Sequence, residues 1–269
     1  MNFKNFISED SVKNKKEIGV DLMRYLKNSL IFENSPQMLL DNKTFKRSNE
    51  ILYVFYSADE LALPFLSKIG IQKCIYLSEI LSPLKEIILS FLNFIYLHKG
   101  PYSKDIQNIL DYLVALDGIE VDSFSTYRRK NSYANYKITE AGKSLVEDLI
   151  YDPMEKEKLQ WIRIVLKLID AYKDAFDLSE EYKGVDKIID LVYQEPSFYE
   201  ISQRNIKGEF IPMGNKNTLT MELIRFLEKA EKALPPNFDR EKYKLDLEMV
   251  LLVFFEYLYV EYLSKKVQI

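Results

Sequence analysis

Cysteine, histidine and glycine are scarce in this sequence. There is one Cys, one His and eight Gly in 269 residues. A single cysteine excludes an internal disulfide. A single histidine, His98, is too few for a zinc site built on histidines, and it is the one residue that could serve a Ser-His-Asp triad. Few glycines indicate few tight turns, which suits a mainly helical protein.

The sequence also lacks an excess of positive charge and a long apolar run. The net charge is −4, so any contact with nucleic acid needs a local basic patch. The most apolar stretch, residues 249–263, is shorter than the roughly 20 residues of a membrane span and contains Glu256 and Glu261. The first residues lack the apolar core of a secretory signal. We therefore expect a cytoplasmic protein that does not enter a membrane.

The residues that could carry chemistry each have a plain structural interpretation. The tripeptide GKS at Gly142–Ser144 is not a phosphate-binding loop, because Lys137 stands where that loop needs its first glycine. Thr139 instead predicts a helix start there. His98 is expected to be exposed or to cap an element end, and Cys74 to be a small core residue.

Glu120 and Asp122 are expected to share one face of a strand, since alternate residues point the same way. A pair of carboxylates can hold a divalent metal in a nuclease, but this strand lacks the lysine of that chemistry. A solvated face is the favoured interpretation. We expect no enzymatic activity, no cofactor and no metal.

Hydrophobic periodicity and capping residues predict a helical chain with one hairpin. Helices are predicted over residues 17–31, 69–81, 84–98, 104–116, 140–150, 155–176, 185–193, 220–234 and 240–265. The stretch 84–98 is expected to change from helix to extended chain before Gly100 and Pro101. Strands are predicted over residues 119–124 and 133–138. Ser57, followed by Asp59 and Glu60, predicts a helix start, and Ser103 predicts another. Gly118 predicts a helix end, and Pro196 is placed in a loop.

The order helix, helix, strand, hairpin, strand, helix between residues 51 and 151 is that of a winged helix, in which the hairpin is the wing. The predicted fold class is mainly α, with a winged-helix core that has a small β wing, followed by a helical C-terminal domain. The predicted domains are an N-terminal extension with one helix (1–50), the winged helix (51–151) and the helical domain (152–269).

The charges of this unit are unevenly placed. Residues 103–123 contain Lys104 and five acids, a combination that repels phosphate, although Gln107 and Asn108 could pair with bases. Residues 124–143 contain five basic residues and one acid. DNA contact is therefore expected from the wing, and the candidates are Arg128, Arg129, Lys130 and Lys137.

Three uses of the unit stay open: sequence-specific DNA reading, weak wing contact with DNA inside a larger assembly, and protein binding. Aromatic residues are enriched in protein interfaces. The candidates for a protein interface are Lys104 and the tyrosines Tyr102, Tyr112, Tyr127, Tyr133 and Tyr136.

Four stretches resemble the middle component of the bacterial three-component ABC-ATPase systems, whose best-known members are the Lamassu anti-phage systems. They are IGIQKCIYLSEIL, HKGPYSKDIQNILDYL, YKITEAGKSLVEDL and IIDLVYQEPSF. The resemblance covers residues 66–200. It implies a non-catalytic subunit that joins an SMC-like ABC ATPase to an effector such as a nuclease, with possible DNA contact through the complex.

Two other hypotheses remain. The chain could be a stand-alone winged-helix transcription regulator, in which the long helix predicted over residues 240–265 mediates dimerisation. It could also be an enzyme whose site the sequence does not reveal. An acidic reading helix suits a protein partner better than it suits DNA, and this favours the adaptor.

Overall fold

The described part of the chain is mainly helical and contains two small antiparallel sheets. The computed structural model describes residues 42–63, 66–90, 93–97, 100–127, 131–172, 188–214, 218–232 and 246–267. The helix predicted over residues 17–31 and the predicted position of His98 lie outside these ranges.

The described helices follow one another along the chain. They are α1 (Asn42–Glu60), α2 (Lys68–Leu81), α3 (Lys104–Ala115), α4 (Glu140–Leu149), α5 (Pro153–Tyr172), α6 (Ile188–Gln194), α7 (Pro196–Arg204), α8 (Leu219–Lys232) and α9 (Leu247–Val267). The described strands are β1 (Leu66–Ser67), β2 (Ile95–Leu97), β3 (Gly100–Tyr102), β4 (Ile119–Tyr127) and β5 (Asn131–Ile138).

Helix α1 is continuous through Ser57, so the prediction that Ser57 starts a helix is wrong. Residues 51–55 are all buried. An apolar run buried on most sides of a helix hides the amphipathic period, and this removes the signal that would have joined residues 42–50 to it. Helix α1 therefore crosses the predicted boundary at residue 50.

Helix α2 begins as predicted, but the helix predicted to start at residue 84 is wrong. The extended chain predicted before Gly100 is confirmed by β2. A short 3₁₀ helix over Ser82–Lys85 ends at Glu86, whose left-handed backbone (φ 57°) stops the turn. Ile87 and Leu89 are buried while Ile88 is exposed, which is the alternation of extended chain. Apolar content alone did not distinguish the two conformations.

The predicted hairpin is confirmed as a pair of antiparallel strands. β4 and β5 are each longer than predicted, and β1 pairs with the far edge of β5, giving the order β1-β5-β4. Helix α3 precedes the hairpin of β4 and β5, and α4 follows it. Thr139 accepts a hydrogen bond from the Gly142 N–H (3.0 Å), which confirms it as the cap of α4.

The end of α3 differs in detail from the prediction. Asp117, with φ 58°, adopts the left-handed conformation expected of Gly118. The Gly118 N–H then bonds the Leu113 carbonyl (2.9 Å), which closes the helix.

The C-terminal helices occur close to the predicted places, but α7 was missed. Pro196 occupies its first turn, where proline is favoured because that N–H needs no partner within the helix. Helix α5 packs on α1 and α2, and the buried hydrophobic residues before and after residue 151 form one cluster. Within the described ranges, no helix combines the length and apolarity needed to cross a bilayer.

Candidate interaction surface

The start of α3 is held by the side chain of Gln72, which projects from α2. The Gln72 amide donates to the Ser103 carbonyl (2.8 Å), and its oxygen accepts from the Ser103 N–H (2.9 Å). Gln72 and Ser103 are both buried. Ser103 is the N-cap residue of α3, but its side chain makes no capping hydrogen bond. The hydrogen bonds to its backbone groups come from Gln72 instead.

Lys73 holds the strand that leads into α3. Its ammonium donates to the Pro101 carbonyl (2.8 Å), and burial lowers the pKa of this amine to about 7. Gly100 has φ 95°, and a Cβ there would lie 2.6 Å from the Lys73 Nζ. Glycine at position 100 is thus required both by the backbone conformation and by the close approach of Lys73.

Tyr76, one turn further along α2, donates to the Glu195 carboxylate at the start of α7. Glu195 also accepts from the N–H groups of Ser197 (3.1 Å) and Phe198 (2.7 Å), and from the Thr220 hydroxyl. Burial raises the pKa of Glu195, although these donors oppose the rise. The carboxylate therefore caps α7 and joins α2, α7 and α8.

Residues 69–81, 100–113 and 136–149 thus contribute interior contacts around α3. Gln72 and Lys73 fix its N-terminal end. At its C-terminal end, a Cβ on Gly142 would clash with the Gly118 carbonyl, so α4 can approach only because residue 142 is glycine. Their described contacts therefore serve to position α3.

Helix α1 holds α3 from another side. Arg47 donates to the Asp105 carboxylate (2.8 Å) in the first turn of α3 and to the Ser90 carbonyl (3.1 Å). Both oxygens of Glu50 accept from the Ser90 N–H (2.8 and 2.9 Å). Burial, opposed by Lys158, raises the pKa of Glu50 to about 7. Side chains of α1 therefore satisfy both backbone groups of Ser90.

The outer face of α3 carries few charges. Lys104, Asn108 and Asp111 are exposed, and the Gln107 amide donates to Asp111 (2.7 Å). Tyr112 is half-buried, and desolvation raises its pKa to about 12. This face offers amide, carboxylate and aromatic groups with a single lysine, which is an arrangement suited to hydrogen bonding.

The carboxylates of β4 are paired with a lysine of β5. The Lys137 ammonium lies 3.0 Å from Asp122 and 3.3 Å from Glu120, and hydrogen bonds to Asp122 and then Glu120 raise its pKa. Both carboxylates share one face, as predicted. The ammonium occupies the place that a divalent cation would take, so the three groups form a surface ion-pair cluster with no net excess of positive charge.

The predicted site residues fall in different places. Arg128, Arg129 and Lys130 lie outside the described residues. Tyr127 and Tyr133 belong to β4 and β5, and their side chains also lie outside what is described. Tyr102 is half-buried, next to the start of α3. Tyr136 is only 7% exposed, so its prediction as an exposed interface residue is wrong.

Reasoning from sequence missed Gln72, Lys73 and Glu195. All residues from Gly70 to Leu81 are buried, including Gln72 and Lys73. Polar residues inside an otherwise apolar helix are a signal of buried hydrogen bonding, because burying them without partners is costly. The partner of each could not be read from the sequence.

In the described part of the chain, no group of three or more His, Cys, Asp and Glu side chains could hold a metal ion. No known family model and no curated protein matches this chain. The site is therefore interpreted from its own geometry.

Proposed function

We propose that this chain is a non-catalytic adaptor of a bacterial anti-phage defence complex, joining an SMC-like ABC ATPase to an effector nuclease. The observation that carries the proposal is the charge pairing around α3. Arg47 bonds Asp105, Lys137 bonds Glu120 and Asp122, and Lys143 lies 2.7 Å from Asp59. Lys137 and Lys143, which keep surface exposure and could otherwise face phosphates, are thus paired with the chain's own acids, while Arg47 is buried against Asp105.

The proposal includes a winged-helix unit over residues 42–149. Its support is the order α1, β1, α2, α3, β4, β5, α4, together with the pairing of β1 with β5. Residues 82–103 separate α2 from α3, and this insertion contains β2 and β3. Helix α3 is the reading helix of that unit, and its acidic and amide groups face a protein partner.

Tyr102, Lys104 and Tyr112 are the described interface candidates at this helix. Tyr102 and Tyr112 keep partial exposure, so each can place its apolar ring against a partner while the hydroxyl stays hydrated. Burying such aromatic groups contributes more to a protein interface than surface charges do.

The proposal is tested by affinity capture of the tagged protein from its native cells, with nuclease treatment and mass spectrometry. Recovery of a large coiled-coil ATPase in fixed ratio is expected. Asp111→Arg should reduce that recovery, because it reverses the charge of the α3 face. Glu157→Arg, at an exposed position on α5, is the matched control and should leave recovery unchanged.

A protein recovered alone would overturn the adaptor. Equal recovery with Asp111→Arg and Glu157→Arg would instead keep the complex and exclude the α3 face as the interface.

The alternative is a stand-alone transcription regulator. The long helix α9, which could mediate dimerisation, favours it. It requires that purified protein bind DNA at moderate salt, with Arg128→Glu, Arg129→Glu and Lys130→Glu together abolishing binding. Lys137→Ala should have little effect, because that ammonium already bonds two carboxylates.

A further inference from the structure

Helix α9 has apolar residues on both its sides. Its inner side packs on α5, α6 and α8, and it buries Val250, Leu251, Phe254, Phe255 and Leu258. Its outer side exposes Met249 (44%), Leu252 (38%), Val260 (54%) and Leu263 (39%). Glu256 lies among them and is also exposed. We call Met249, Leu252, Glu256, Val260 and Leu263 the outer stripe.

The members of the outer stripe recur at helical spacing. Successive members are three, four, four and three positions apart along α9. Steps of three and four keep side chains on one face of a helix and allow a second helix to pack along it. A single exposed apolar residue is ordinary, but two apolar pairs on one face of a long helix, one on each side of Glu256, form a surface that a second helix can cover.

The same spacing is symmetric about Glu256. In an antiparallel pair of α9 helices related by a two-fold axis at Glu256, Met249 of one copy faces Leu263 of the other. Leu252 likewise faces Val260. A surface that matches itself under a two-fold rotation is what a homodimer interface requires.

The charges at the two ends of α9 agree with this direction. Asp246 and Glu248 stand at its start, and the sequence places Lys265 and Lys266 in its last turns. An antiparallel arrangement brings the acidic end of one helix beside the basic end of the other. A parallel arrangement would place like charges side by side, which disfavours association.

We propose that the outer stripe is a homodimer interface in which two α9 helices pack antiparallel about Glu256. Position 256 of each copy then lies at the axis. This fixes the register, because a shifted pair would bury Glu256 against an apolar side chain. The proposal goes beyond the adaptor function, and it holds equally for a subunit or a regulator, so its failure leaves the proposed function standing.

The first test is the oligomeric state of the purified full-length chain, by light scattering and sedimentation. A dimer is expected at micromolar concentration. Val260→Glu should make the protein monomeric, because it places a carboxylate of each copy against Leu252 of the other. Ile206→Glu is the matched control, since Ile206 is exposed to a similar extent (57%) outside α9. A monomeric wild type, or equal effects of both variants, would overturn the proposal.

The second test reads the direction of packing by cysteine cross-linking. Native Cys74 is buried and does not compete. Glu256→Cys should form a reducible covalent dimer, since position 256 meets its own copy. Met249→Cys alone should not, because the two copies of that position would lie about 21 Å apart along the axis, and a disulfide needs Cα atoms within about 7 Å.

Adding Leu263→Cys to Met249→Cys should restore cross-linking, as the antiparallel register brings these positions together. Self-linking of Met249→Cys would show parallel packing and overturn the register.

Discussion

Replacing Gln72 by Met tests how α3 is held. Methionine is similar in volume and keeps the packing, but it removes both hydrogen bonds to Ser103. The Ser103 N–H and carbonyl are then buried without these partners. Each such group costs about 1–3 kcal/mol, so we expect the free energy of unfolding to fall by about 2–6 kcal/mol. That corresponds to a Tm lower by roughly 4–24 °C for a chain of this size.

The sequence provides the probe for this measurement. Trp161 is the single tryptophan and is 1% exposed. Its indole N–H donates to the Ser78 carbonyl (2.9 Å), on the same helix as Gln72. Urea unfolding followed by tryptophan fluorescence therefore reports on α2 directly.

The matched control is Gln107→Met. Gln107 also donates a side-chain bond, but on the exposed face of α3, and its loss should change the free energy of unfolding by less than about 0.5 kcal/mol. A loss below about 1 kcal/mol for Gln72→Met, or equal losses for the two variants, would show that other groups replace the Gln72 amide. The account of α3 positioning would then be wrong.

Three further variants test the interior. The Lys73 ammonium loses its proton near pH 7 in the folded chain and only near pH 10.5 in the unfolded chain. Between these pH values the free energy of unfolding should therefore rise by up to about 1.4 kcal/mol per pH unit. Lys73→Met should remove this pH dependence, as measured by urea unfolding at several pH values. Glu195→Ala should lower the free energy of unfolding by about 3–5 kcal/mol, because it removes a helix cap and leaves buried hydroxyl groups without their acceptor. Glu200→Ala, at an exposed ion pair, should lower it by less than about 1 kcal/mol in the same assay. Gly142→Ala should lower the free energy of unfolding by about 1–3 kcal/mol or prevent folding, because the added methyl group meets the Gly118 carbonyl. A Tm equal to that of the wild type would contradict the close approach of α4 to residue 118.

Helices with one apolar face, and the hairpin, were predictable from the sequence. Helix α3 alternates buried and exposed residues at helical spacing, and α4 begins at a threonine that does cap it. These features depend on neighbours in the chain, so local pattern is sufficient. Where local pattern is uniform, as in the apolar residues after Pro83, the predicted helix was wrong.

The candidate site was predictable only in part. The acidic character of residues 103–123 is plain from composition, and the common face of Glu120 and Asp122 follows from strand geometry. That Lys137 bonds both carboxylates depends on the register of β4 against β5, where Glu120 pairs with Lys137. That Arg47 reaches Asp105 depends on the packing of α1.

The sequence by itself determined the mainly helical character of this protein, its hairpin, the acidity of residues 103–123 and the apolar content of α9. Each of these is fixed by residues close together in the chain. Tertiary structure decided which charges are paired, which polar side chains hold α3, and which side of α9 stays exposed. The physical reason is that buried hydrogen bonds and ion pairs join residues far apart in sequence, and only folding brings Gln72 to Ser103 or Tyr76 to Glu195.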